Sequence, residues 1–162
     1  MAEEDGIVEL LPDYDEEQTA QAVADFFLKD DSRHPHNYQR IRQQYIALRS
    51  ISSPVGDVTG VHGALRNHTE EKWIDGMIYK QALDCVDCAI ERCSAQSKVI
   101  LTHRFKAGEL QWQAKKAAHI GGNDQYPIAE RRACREFADI MQKYRVMYGV
   151  EELIPDMLVT RN

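Results

Sequence analysis

The segment KVILTHRFKAGELQWQAKKAAHIGGNDQYPIAERRACREFADIM, Lys98 to Met141, decides the fold. Its apolar residues recur at intervals of three and four instead of alternating, which is the spacing of helices and not of strands. Three helices are predicted, over 98–106, 110–119 and 124–145. A break holding Ala107-Gly108 separates the first two, and Gly121-Gly122-Asn123 makes the tight turn before the third. On the last helix Ile128, Ala133, Phe137, Ile140 and Met141 are the expected core positions. Three helices in these proportions form a helix-turn-helix unit.

Working outward, the preceding 97 residues hold three further predicted helices. Asp13 or Asp15 caps a helix over 16–29 with Ala20, Val23, Phe26 and Phe27 on its apolar line. A second, over about 37–49, places Tyr38, Ile41, Tyr45 and Leu48 on one face. The stretch 50–67 holds three glycines and a proline and is the one long linker. A long helix over 69–93 follows, capped by His68 or Thr69, with Glu70 and Glu71 in its first turn and Ile74, Ile78, Ala82, Val86, Ala89 and Cys93 as its apolar face. The fold class expected is therefore all-α: a flexible acidic N-terminus (1–13), a helical region (14–94), a helix-turn-helix domain (95–146) and a short tail (147–162).

The net charge of −6 argues at first against nucleic acid, since a phosphate-binding face needs excess Lys and Arg. The average conceals an asymmetry. Residues 1–31 carry eleven acidic side chains against the single Lys29, so the remainder is net positive by four. Residues 98–145 hold ten basic groups and five acidic ones, and 33–49 hold Arg33, Arg40, Arg42 and Arg49 with no acid. Such a division points to nucleic-acid contact by the basic part, with an acidic segment that competes for it or recruits a partner.

In a helix-turn-helix the second helix crosses the phosphate backbone while the leading half of the third enters the major groove. Asn123, Asp124, Gln125, Ala129 and Arg132 are the candidate base readers, and Lys115, Lys116, Arg131 and Arg135 suit phosphates. The order of residues adds to this reading. The "I-L-x-x-R-F" of the first helix and the "A-x-R-R-A-C-R-E-F-A" of the third resemble the fourth conserved region of bacterial sigma factors. Over about residues 9–142 the chain is also similar to the ArpU family of phage-type transcriptional regulators from Gram-positive bacteria and their prophages. The resemblance rests on the acidic N-terminal helix, the Ser/Pro/Gly linker before Asn67, Glu70, Ile100-Leu101, Ala133 and Phe137-Ala138. It implies a regulator of late phage genes acting at promoter DNA. The chain departs from the family pattern at Gly122-Asn123, where a serine commonly caps the third helix, and at Cys134, where leucine is usual. Pro127 also departs from it; a proline beyond the first turn removes a backbone donor, so the third helix is expected to start later, near Tyr126.

Rival chemistries fare worse. Cys85-x-x-Cys88 with Cys93 invites a zinc reading, but the run ALDCVDCAIERC has no glycine or proline to make a zinc knuckle, so burial as small apolar groups is expected. No two histidines flank a glutamate at metalloprotease spacing, and no glycine-rich phosphate loop is present. Trp73 and Trp112 are expected to pack on helix faces. Apolar runs fall far short of the ~20 residues a spanning helix needs, and the acidic MAEEDG start is unlike a signal peptide, so a cytoplasmic location is expected. The partner expected is double-stranded DNA, with RNA polymerase and a second copy of the chain as further candidates, and neither catalysis, cofactor nor membrane is called for. The competing reading is a phage-encoded helical interaction or DNA-packaging adaptor module without promoter specificity.

Overall fold

The computed structural model describes residues 13–29, 37–51 and 65–161. These residues form helices α1 (Glu16–Leu28), α2 (Tyr38–Ile51), α3 (Leu65–Arg92), α4 (Ala95–Ile100), α5 (Gln111–Ala117) and α6 (Gln125–Met147), with a π-helical turn, Leu101–Lys106, continuing α4. Among them there is no strand, only one isolated antiparallel bridge between Tyr14 and Thr160. No helix among the described residues is long and apolar enough to cross a membrane.

Capping residues set the starts of the first two helices. The Asp15 carboxylate accepts the Gln18 N–H at 2.9 Å, and the Asn37 side chain accepts the Arg40 N–H at 2.9 Å, each satisfying a donor that the first turn leaves without a partner. α3 begins at Leu65, four residues before the start expected from sequence, so Glu70 and Glu71 lie past its first turn. Most of the predicted linker, 52–64, falls outside the described residues.

The predicted helix 98–106 begins earlier, at Ala95, and changes character midway. After Ile100 the backbone widens: Ala107 N–H reaches the Thr102 carbonyl five residues back, at 2.9 Å. After α5 it is His119, at φ 55°, that takes the left-handed conformation, and neither Gly121 nor Gly122 does. Glycine matters at 122 for another reason. A Cβ there would sit 3.2 Å from the Gln125 side chain, which folds back over the turn. α6 starts at Gln125, before the start that Pro127 predicted. Pro127 is its third residue, where the missing N–H has no intrahelical acceptor to lose.

Buried side chains from all six helices form one cluster, and aromatic rings join its parts. The Phe27 ring of α1 lies 5.2 Å from Tyr38 of α2, 6.0 Å from Phe105 of the π turn and 5.3 Å from Phe137 of α6, measured between centroids. α3 and α6 run in opposite directions, Ser94 just past α3 meeting Glu136 while Cys85 meets Met141. Ala82, Val86 and Ala89 are therefore wholly buried, as the apolar stripe predicts, and so is Cys85 beside them. Ile74 and Ile78, predicted on the same stripe, are 55% and 38% exposed. They lie where α6 has ended; the turn Gly149–Leu153 meets α3 there across an open cavity instead of a helix. Residues after Gly149, read from sequence as a tail, return over the body and bury Val150, Ile154 and Met157. They close on α1 through Asp15 N–H to the Val159 carbonyl and Arg161 N–H to the Asp13 carbonyl, both 2.8 Å.

Truncating Phe27 to alanine removes the ring shared by four neighbouring aromatics and is expected to cost about 3–5 kcal/mol of stability. Leu28→Ala, at the exposed next position, is expected to cost a small fraction of that. Denaturant midpoints of the two variants measure the difference.

Candidate nucleic-acid interface

α6 buries Tyr126, Ala133, Cys134, Phe137, Ala138 and Met141, so the helix cannot rotate without opening the core. That choice turns the opposite face of its leading turns outward. Gln125, Ile128, Ala129 and Arg132, at helical spacings of three and four, line a shallow groove of about 200 Å³ with Gln96 and Ile120. Ile128 is a correction to the sequence reading. It was expected in the core and stands 60% exposed in the middle of this face.

The other candidate residues divide by location. Asn123 and Asp124 are exposed just ahead of α6, and Lys115 of α5 donates a short hydrogen bond to the Asn123 side-chain oxygen across the turn. Lys116 is exposed. Arg132, with its side chain 73% exposed, lies 3.4 Å from Glu136 one turn on. Arg131 and Arg135 occupy a separate flank of α6, against α1. Arg135 is already engaged: its guanidinium sits 4.5 Å over the Tyr14 ring and 3.9 Å from Glu16. The start of the acidic N-terminal helix therefore occupies the cation that sequence assigned to phosphate.

Glu136 braces this arrangement from the side. Its carboxylate accepts the Ser94 backbone N–H at 2.9 Å and the Ser94 hydroxyl at 3.0 Å, fixing the start of α4 to the middle of α6. Ser94 stands at the N-cap position of α4 but makes no side-chain cap bond; its side chain serves as this cross-link instead.

The Arg131 flank opens onto a cleft of about 430 Å³ between α1, the π turn, α5 and α6, lined by Glu17, Gln21, Arg104, Gln111 and Glu130 among others. Arg104 Nε lies 3.8 Å from Glu130, and its Nη1 donates to the Glu109 carbonyl at 3.0 Å. Burial raises the Glu130 carboxyl above its ordinary value, outweighing the Arg104 charge that lowers it. The phenol of Tyr126 and the thiol of Cys134 beside it are also pushed up by burial.

Three of the cysteines are buried in the core, and the half-buried Cys88 accepts the Tyr148 hydroxyl at 3.1 Å. Cys85, Cys93 and Cys134 are buried, all four are unpaired, and burial pushes the Cys85 and Cys93 thiols up to about 12, far from the thiolate that reacts or binds metal. Among the described residues no three His, Cys, Asp or Glu side chains gather as a metal site. Trp112, expected to pack, is 62% exposed, and Leu110 beside it is 60% exposed. α5 buries only Ala114, whose small side chain lets that short helix approach its neighbours closely. The side chain of Trp73 lies outside the described residues.

Comparison of the chain with protein-family models, with curated proteins and with solved structures gave no match.

A carboxyl whose folded pKa is raised adds stability that is complete below its unfolded value, near 4.3, and is lost as pH climbs through the folded value. Glu130→Gln, a stand-in for the protonated form, is accordingly expected to stabilise the protein at neutral pH. Its advantage should shrink to nothing on acidification to about pH 4. Paired denaturation curves across that range test the sign.

Proposed function

We propose that the chain binds double-stranded DNA and regulates transcription of phage or prophage genes, with α6 as the reading helix of a sigma-like helix-turn-helix. In this reading α4 with its π turn is the bracing helix, and α5 crosses the backbone. One observation carries it: the leading two turns of α6 keep Gln125, Ile128, Arg131 and Arg132 outward while the same turns anchor Tyr126 and Ala133 in the core. A major groove about 12 Å wide admits one helix, and side chains of these types pair with base edges or phosphates. Arg132 and Gln125 suit guanine and adenine edges respectively, while Lys116 and Arg131 supply position and affinity. The resemblance to the ArpU family supports the same assignment.

A second reading has its own support. Leu110 and Trp112 present adjacent large apolar side chains to solvent at the head of α5, and an exposed aromatic of this kind is a common protein-docking anchor. It favours an interaction module, either in place of DNA binding or, as contact with RNA polymerase, beside it.

Salt separates the two. A labelled duplex of random sequence is expected to bind with log affinity falling linearly in log salt, by about 0.9 for each phosphate neutralised. Arg131→Ala and Lys116→Ala should each lower that slope by about one. Arg135→Ala should leave it unchanged, since Tyr14 and Glu16 already hold that guanidinium. Fluorescence anisotropy titrations at several salt concentrations read all four proteins, and binding indifferent to salt would remove the DNA assignment.

A further inference from the structure

We infer that Ile128 is a base-reading residue whose branched side chain recognises the 5-methyl group of a thymine in the major groove. The inference rests on α6 being the reading helix and names a specificity of that same site. A single exposed apolar side chain means little by itself, because folded surfaces carry many. Its setting is what distinguishes this one. Ile128 is 60% exposed at the centre of a face whose helical neighbours three before and four after are Gln125 and Arg132, both hydrogen-bonding types. With Ala129 and Ile120 it forms the apolar floor and wall of the groove that those two side chains rim.

Charge narrows what can fill that groove. Arg132 lines the groove itself, and Lys115 and Lys116 stand on α5 across the turn, so the surroundings favour a polyanion. In the major groove of such a polyanion only one base edge is apolar, the thymine methyl; every other edge presents donors or acceptors that an isoleucine would strip of water without replacing. A β-branched residue on a helix is nearly fixed at its first torsion, so Ile128 offers one shape at one height. The direct complement of this knob is a thymine, read between the bases contacted by Gln125 and Arg132.

The test uses the full chain and deoxyuridine, which differs from thymidine only by that methyl. Selection from a random-sequence duplex library with the wild-type protein yields a preferred site, and each thymine in it is then replaced singly by deoxyuridine. At one position the wild type is expected to lose about threefold to fivefold in affinity, the worth of one desolvated methyl group. Ile128→Ala should lose that preference and bind the two duplexes equally, while Ile128→Val should retain it. Because Ile128 is exposed, both variants are expected to melt with the wild type, so lost discrimination reports recognition and not unfolding. Deoxyuridine sensitivity that survives unaltered in Ile128→Ala, or a preferred site in which no single thymine methyl matters, overturns the inference while leaving DNA binding intact. A library from which nothing is enriched overturns both together.

Discussion

The packing of Phe27 against Tyr38, Phe105 and Phe137 is the constraint on which the rest of the molecule depends. One ring from the first helix meets the second helix, the π turn and the last helix at once. Rings at 5.2 to 6.0 Å add a preferred geometry to the burial of their area, so they orient the elements that carry them as well as holding them together. Phe137 therefore cannot leave this cluster, and α6 has one rotation available. That rotation sends Gln125, Ile128 and Arg132 outward. The candidate interface follows from a contact on the opposite side of its helix.

The same packing explains why a chain with divided charge keeps its parts adjacent. The N-terminal helix begins with acids and lies along the flank of α6 that bears Arg131 and Arg135. Tyr14 and Glu16 take up Arg135, and the returning C-terminal segment secures their neighbours through Asp13 and Asp15. The basic surface left open is thereby narrowed to the groove face, the exposed Arg131 and the exposed end of α5. Charge read along the sequence overstates what is free, since part of the negative segment is spent on part of the positive one.

Much of the helical organisation was legible from spacing and caps. The predicted boundaries of α1 and α2 lie within two residues of those observed; the Asp15 cap is a local signal that needs no distant partner, whereas Asn37, read as the first residue of the second helix, turns out to be its cap. Val23, Phe26, Phe27, Ile41, Ala82, Val86, Ala89, Ala133, Phe137 and Met141 are all buried as their periodicity predicts. The misreadings share a cause. Ile74 and Ile78 fit an apolar stripe that no helix continues to cover, Trp112 lies on a side of α5 left open to solvent, and Val150, Ile154 and Met157 have no periodicity until the chain folds back. Each outcome depends on how far a neighbouring element extends. Ile128 is different, for its signal was present: it lies three from Gln125 and four from Arg132, in step with the polar face and out of step with Ala133 and Phe137.

By itself, the order of amino acids determined that this chain is helical, where its first helices begin, and which residue types gather near the last one. Those properties arise from interactions within a few turns, and the sequence displays them directly. Only the tertiary structure decided that Glu136 ties down Ser94, that Arg135 is held by Tyr14 and Glu16, and that an isoleucine faces solvent among polar neighbours. The contacts that set these join residues scores of positions apart, and burial at such range depends on which helix stops where.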